Sequence, residues 1–82
     1  IDRVDRAIVR LVAEREDYIR QAGHIKQTRD SVRDEARIQD VLDKVTRTAE
    51  ETGANPALVT TVYRNMMEWC IAYEFTVFDA KK

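Results

Sequence analysis

The sequence predicts an all-α protein of three helices, one long and two shorter, in a single domain that spans residues 1–82. Apolar residues recur at three- and four-residue steps through most of the chain, which is the period of a helix with one buried face. Two glycines and one proline are the only strong helix breakers among the 82 residues. A chain of this length is sufficient for one domain with a small core.

The first helix is predicted to run from Ile1 to about Gln27, with Gly23 as its one weak point. At 1.5 Å per residue such a helix is roughly 40 Å long, whereas a compact chain of this size has a radius of gyration of about 12 Å. We therefore expect this helix to pack against a second copy in an intertwined homodimer. Because the apolar pattern is already in progress at Ile1, we also expect the natural N-terminus to precede it. The apolar positions are Ile1, Val4, Ile8, Leu11, Val12, Ile19, Ala22 and Ile25.

A polar stretch over residues 28–33 predicts a loop before the second helix. Ser31 or Asp34 is expected to cap that helix, because short polar side chains accept hydrogen bonds from free N–H groups at a helix start. Gly53 is expected to end it, since glycine tolerates the left-handed backbone of a helix C-terminus. Its apolar positions are Ile38, Val41, Leu42, Val45 and Ala49.

The third helix is predicted to begin after Asn55 as its cap, with Pro56 at the first position, where a missing N–H has no cost. The pattern then continues to near the C-terminus. Its apolar positions are Leu58, Val62, Tyr63, Met66, Met67, Cys70, Tyr73, Val77 and Phe78.

Charge and composition argue against several classes of function. The formal net charge is -1, with 14 Lys and Arg against 15 Asp and Glu, which disfavours a general nucleic-acid binder. No run of about 18 apolar residues and no signal peptide is visible, so we expect no membrane partner. One cysteine, Cys70, and one histidine are too few for a disulfide framework or an ordinary metal site. We expect a cytoplasmic protein without a metal or cofactor.

Charged residues interrupt the apolar faces at a few positions. Arg15 and Lys26 are eleven residues apart on the first helix, which makes three turns with only about 20° of drift. They therefore point the same way, about 16 Å apart along the axis. By the same arithmetic Glu74 shares a face of the third helix with Met67 and Cys70. On the second helix, Arg37 lies one step from the apolar stripe.

Cations that face an apolar interior are costly unless an anion meets them. Folding the three helices together would place Arg15, Lys26, Arg37 and Glu74 around one cavity, whose natural ligand is a small molecule with two carboxylates. Two structural interpretations stay open at this point. Long cationic side chains often follow apolar surface out to water, and Arg15 could form a structural ion pair with Glu74.

The motifs along the chain resemble the all-helical class of chorismate mutases. The resemblance covers essentially the whole sequence, and the spacing of its Arg, Lys and Arg residues is specific only as a set. The matching segments are Ile1-Asp2-Arg3-Val4-Asp5, Leu11-Val12-Ala13-Glu14-Arg15, Gly23-His24-Ile25-Lys26, Val32-Arg33-Asp34 with Arg37, and the helix around Trp69 and Glu74.

This resemblance implies a role for each cation. Arg15 matches an arginine that binds a carboxylate of chorismate, and Lys26 matches the lysine that contacts the ether oxygen and a carboxylate. Arg37 matches an arginine of the second helix that supports the charge of the site. The family has a further arginine, before the position of Ile1, that reaches the active site of the partner subunit. The implied assembly is a homodimer with a shared active site.

The polar residues match less closely. Asp34 matches a loop position at the ring hydroxyl of the substrate, and Cys70 matches a position where serine commonly helps to hold a carboxylate. Glu74 matches a position that hydrogen-bonds the ether oxygen and is more commonly a glutamine. Ile38 stands where many members carry a glutamate for the ring hydroxyl. An aliphatic residue there, and a tryptophan near Trp69, are similar to the related isochorismate-pyruvate lyases.

The reaction implied is the pericyclic rearrangement of chorismate to prephenate in the biosynthesis of aromatic amino acids. The lyase reaction makes salicylate from isochorismate. Asp34 and Glu74 favour the mutase reaction over it, because the lyases generally lack the acidic residue at the position of Asp34 and keep glutamine at the position of Glu74. A pericyclic reaction needs no nucleophile or metal, and the protein has to hold the reactive conformer and stabilise charge on the ether oxygen. The alternative of a different class is a non-enzymatic helical module for dimerisation or ligand sensing.

Overall fold

The computed structural model describes residues 1–25 and 29–80 and contains three helices in that part of the chain. These are α1 (Asp2–Ile25), α2 (Glu35–Thr52) and α3 (Pro56–Ala80), and the described residues form no strand. The all-α prediction is therefore confirmed. The 25 residues of α3 make it as long as the 24 described residues of α1, so the chain has two long helices and one shorter one. The predicted end of the first helix, near Gln27, lies outside the described residues.

The loop before α2 is more ordered than the polar sequence indicates, because Arg29–Ser31 forms one turn of 3₁₀ helix. Of the two capping candidates, Asp34 is the cap. Its backbone is extended, and its Oδ1 accepts a hydrogen bond from the backbone N–H of Arg37 at 3.1 Å. At the other end Gly53 has a φ of 82°, the left-handed conformation expected of a helix-ending glycine. Local chemistry thus sets both ends of α2.

The start of α3 follows the same logic. Asn55 Oδ1 accepts a hydrogen bond from the N–H of Ala57 at 2.9 Å, and Pro56 is the first helical residue. The carbonyl of Asn55 accepts the first bond of the helix from Val59 at 3.1 Å. Both predicted signals for this boundary are confirmed.

The helix α3 is the centre of the fold, because α1 and α2 both pack against it. The buried apolar core is small, and within the described residues it consists of Val32, Leu42, Ala49, Met67, Cys70 and Phe78. The single buried residue of α1 is Gly23. A Cβ atom at that position would lie 3.0 Å from Cγ1 of Val77, so glycine allows α1 to approach α3 closely there.

The chain is extended rather than compact. Its radius of gyration is 14.1 Å and its principal extents are 43 × 28 × 16 Å, against the radius of about 12 Å expected of a compact chain. The first half of α1 leaves its apolar stripe in solvent, with Ile8 52% and Leu11 64% exposed. Homodimerisation, which would cover that stripe, stays a prediction. Among residues 1–25 and 29–80, no helix is both long and apolar enough to cross a membrane.

Candidate functional site

A cavity of about 320 Å³ lies between the three helices and is half open to solvent. All three helices and the segment before α2 contribute to its wall. Five of the six predicted site residues line it, namely Arg15, Asp34, Arg37, Cys70 and Glu74. The sixth, Lys26, lies outside the described residues. Arg15, Arg37 and Glu74, which helical period placed around one cavity, therefore do border one space. The resemblance implied Asp34 and Cys70 as site residues, and they border the same space.

Arg15 enters the cavity from α1 and contacts α3. Its Nη1 donates a hydrogen bond to Sγ of Cys70 at 3.6 Å. The guanidinium carbon also lies 5.7 Å from the centre of the Tyr63 ring, a distance at which the ring face attracts a cation. Both contacts hold the guanidinium without neutralising its charge, so the charge remains available to an anionic ligand.

Cys70 is buried beneath this guanidinium. Burial raises the pKa of its thiol, and the nearby Arg15 opposes that shift only in part. The thiol is therefore neutral near neutral pH, and a neutral thiol is a poor nucleophile. Its place in the wall suits a weak hydrogen-bonding group rather than a covalent catalyst.

Glu74 supplies the carboxyl group of the cavity. It is 5% exposed and is the one charged residue that is buried in the described part of the chain. The close approach of α1 contributes to this burial, since a Cβ at position 23 would lie 3.3 Å from Cγ of Glu74. A carboxyl group at this depth is rare in proteins unless it has a specific partner or function.

The wall formed by α2 is polar at its rim. Asp34 lines the cavity while its Oδ1 serves as the helix cap. Arg37 is exposed, and its Nη1 lies 2.6 Å from Oδ2 of Asp40, which also accepts from Lys44 at 2.9 Å. The hydrogen bond from Lys44 and then the one from Arg37 lower the pKa of the Asp40 carboxyl below its ordinary value. The charge that α2 contributes therefore lies at the mouth of the cavity.

The remaining wall is apolar, and sequence analysis found only part of it. It includes Ile19, Ala22, Val32, Ile38, Val41, Met67 and Ile71. Val32 was missed as a site residue, although an apolar side chain in an otherwise polar stretch was the available signal; it is 4% exposed. Leu11 lies one helical turn before Arg15 on α1, but it does not line the cavity and is 64% exposed.

A second, more apolar cavity of about 270 Å³ lies on the other side of Arg15. It is lined by Val12, Arg15, Glu16, Met66, Trp69 and Cys70. Trp69 is 58% exposed in the single chain. Its ring stacks on Tyr73, with the ring centres 5.3 Å apart. Arg15 and Cys70 thus separate two spaces, one charged and one apolar.

Comparisons with known proteins agree with the resemblance seen in the sequence. The family described as "Chorismate mutase type II" matches residues 1–75. A curated relative, the isochorismate pyruvate lyase of Pseudomonas aeruginosa, is 31% identical over 72 residues, which cover 88% of this chain and 71% of the relative. The family match over residues 1–75 includes every residue that lines the first cavity. With this match and the three-helix fold, the chain belongs to the chorismate mutase type II family.

Proposed function

We propose that the protein is a chorismate mutase that converts chorismate to prephenate in the cavity between the three helices. The observation that supports this most is the burial of Glu74 in the same wall as Arg15, with Arg37 at the rim. A space of about 320 Å³ is at the lower end of the range for small-molecule sites, which suits a compact dicarboxylate.

The reaction breaks the ether C–O bond of chorismate as a new C–C bond forms, so the protein has to orient the substrate rather than bond to it. The planar guanidinium of Arg15 suits a bidentate contact with a substrate carboxylate. Glu74 meets the ether oxygen, on which negative charge develops, and a carboxyl group can donate a hydrogen bond there only as the neutral acid. By its match to the family, Lys26 donates to the same oxygen from the other side.

A second candidate is the isochorismate-pyruvate lyase reaction. The name of the Pseudomonas aeruginosa relative favours it, and so does Ile38, which presents an aliphatic side chain to the cavity where many mutases carry a glutamate. Asp34 and Glu74 both line the cavity, and by the resemblance they favour the mutase, because the lyases generally lack the acidic residue at the first position and keep glutamine at the second. We give the mutase precedence because the same resemblance implies that these two residues contact the ring hydroxyl and the ether oxygen of the substrate.

Separate incubation of the full-length protein with chorismate and with isochorismate distinguishes the two reactions. We expect prephenate from chorismate, and we expect Arg15→Ala to reduce kcat/KM at least about 100-fold, as loss of a charged group that acts on the transition state typically does. The matched control is Arg47→Ala, which removes a cation from the exposed side of α2 and should leave kcat/KM within about twofold. Salicylate from isochorismate, without prephenate, would establish the lyase instead.

Lys26→Ala tests the third possibility, a non-enzymatic helical module. If the variant keeps its helical circular dichroism and its association state while turnover is lost, the enzyme interpretation is supported. If the full-length parent converts neither substrate, the enzyme proposal is wrong and the module becomes the better interpretation. The proposal further includes a homodimer with a shared active site, a cytoplasmic location, and a place in aromatic amino-acid biosynthesis.

A further inference from the structure

Arg33 forms a three-way contact just outside the cavity. Its Nη1 and Nη2 donate to the two carboxylate oxygens of Glu68 on α3, at 3.1 and 2.9 Å. Its Nε donates to Oε1 of Glu35, the first residue of α2, at 2.7 Å. One guanidinium therefore connects the segment before α2, the start of α2 and the middle of α3.

The neighbours of Arg33 in the sequence are both part of the cavity wall. Val32 and Asp34 line the cavity, and Val32 is among the most buried residues of the chain. Arg33 and Glu68 do not line it, and both side chains are partly exposed, at 41% and 62%. The ion pair therefore lies outside the cavity, next to two residues of its wall, and it does not contact the space in which a substrate would bind.

The geometry of this contact is more favourable than that of an ordinary surface ion pair, because one guanidinium makes three hydrogen bonds to two carboxylates. A single exposed pair usually contributes little, but a bidentate arginine–carboxylate pair within a network is the exception. The hydrogen bonds to Glu68 and then to Glu35 raise the pKa of Arg33, and those from Arg33 lower the pKa of Glu68, so both groups are charged at neutral pH. The two shifts are opposite in direction, and each favours the charged form of its group.

We propose that Arg33 is a positioning residue that, through Glu68, holds Val32 and Asp34 in the wall of the cavity and so keeps the site ready to bind substrate. This inference rests on the proposed function for its kinetic test. Without the contact, the segment before α2 occupies the binding-competent position for a smaller fraction of the time. The apparent affinity falls in proportion to that fraction, whereas kcat is retained because bound substrate restores the position.

The direct test compares Arg33→Ala with Glu68→Gln. For both variants we expect KM to rise about fivefold, with kcat within about twofold of the parent, from the loss of the competent fraction. The double variant should raise KM little further, since each change removes the same interaction. Arg33→Lys should be intermediate, because an ammonium keeps the charge but cannot form the bidentate pair.

The sign of the Glu68→Gln effect separates positioning from simple charge. If Arg33 acted only by attracting a dianionic substrate, removal of the Glu68 carboxylate would lower KM, and that result would overturn the proposal. Glu50→Gln is the matched control, because it removes an exposed carboxylate from α2 and should leave KM within about twofold.

Amide hydrogen exchange of the unliganded protein provides a measurement that does not depend on the proposed reaction. We expect exchange over residues 30–37 to speed up in Arg33→Ala and Glu68→Gln but not in Glu50→Gln. Unchanged exchange in the first two variants would refute the positioning role. If the parent converts neither chorismate nor isochorismate, the proposed function fails while the exchange measurement still decides the role of Arg33.

Discussion

Arg15 is the residue that connects the chemistry of the cavity to the rest of the molecule. Its guanidinium lies between the ring of Tyr63 and the neutral thiol of Cys70, and it borders both cavities. Neither contact cancels its charge. The two structural interpretations of Arg15 that the sequence left open involved water or Glu74, and its observed contacts are with neutral groups of α3. A cation held in this way is suited to a ligand carboxylate.

At the same scale, Glu74→Gln tests whether the buried carboxyl acts as a proton-bearing donor. An amide always carries a hydrogen-bond donor, so Glu74→Gln should keep kcat within about tenfold of the parent if a donor is what this position supplies. Glu74→Leu has a side chain of similar size without a donor and should reduce kcat at least about 100-fold. The measurement is kcat of the parent and both variants at saturating chorismate.

The control is Glu51→Gln, which changes an exposed carboxylate at the end of α2 and should leave kcat within about twofold. If Glu74→Leu is as active as the parent, the assigned role of Glu74 is wrong.

At the scale of elements, the crossing of α1 over α3 places the carboxyl of Glu74. The two helices approach closely at Gly23, which faces Val77 and Glu74. In the sequence Gly23 is a weak point of the first helix, because glycine has a low helix propensity. The structure shows the compensation: the absent side chain makes room for α3. The same residue therefore weakens a helix locally and allows a close contact between helices.

Gly23→Ala should disturb this crossing. A Cβ atom would lie 3.0 Å from Cγ1 and 3.1 Å from Cβ of Val77, closer than ordinary contact. Crowding costs about 1–3 kcal/mol in a packed interior, and the better helix propensity of alanine offsets about 1 kcal/mol of that. We expect a lower midpoint of thermal unfolding and, since Glu74 is displaced as well, a lower kcat.

Adding Val77→Ala to Gly23→Ala supplies the control for that prediction. Removal of the crowded methyl groups should recover part of the kcat relative to Gly23→Ala, even though Val77→Ala alone leaves a small void. If Gly23→Ala is as active and as stable as the parent, the close approach does not position Glu74.

At the scale of the whole molecule, the core is too small for the apolar surface that the chain carries. The exposed large apolar side chains include Ile1, Val4, Ile8, Val9, Leu11 and Val12 of α1 and Leu58, Val62 and Trp69 of α3. Exposed apolar surface of this extent is typical of an interface. It supports the predicted homodimer, in which a second copy would cover the first half of α1.

Leu11→Asp tests that assembly, since burial of a carboxylate in an apolar interface is strongly unfavourable. We expect the parent to have twice the 9.6 kDa mass of the chain in light scattering. The dissociation constant of the dimer should be at least about tenfold higher for the variant than for the parent. Thr48→Asp places the same residue on the exposed side of α2 and should remain dimeric. A monomeric parent at every concentration would contradict the prediction.

The bounds of the helices could be predicted well because they depend on neighbours in the chain. Asp34, Gly53 and Asn55 act through hydrogen bonds or backbone angles within three residues of the boundary, so the sequence contains the whole interaction. The choice between Ser31 and Asp34 was left open, because both are good caps and the 3₁₀ turn that includes Ser31 has no clear sequence signal. The third helix was grouped with the second as a shorter helix, although its predicted bounds already implied about the 25 residues that it has.

The sequence by itself determined the three helices and, through helical period, the faces on which Arg15, Cys70 and Glu74 meet. Period gives direction around an axis but not the level at which two helices cross. Only the tertiary structure decided that Leu11 stays exposed while Arg15, one turn later, borders the cavity. It also decided that Gly23 faces α3 and that Arg33 joins three elements. Those outcomes depend on distances between residues far apart in the chain, which no local pattern contains.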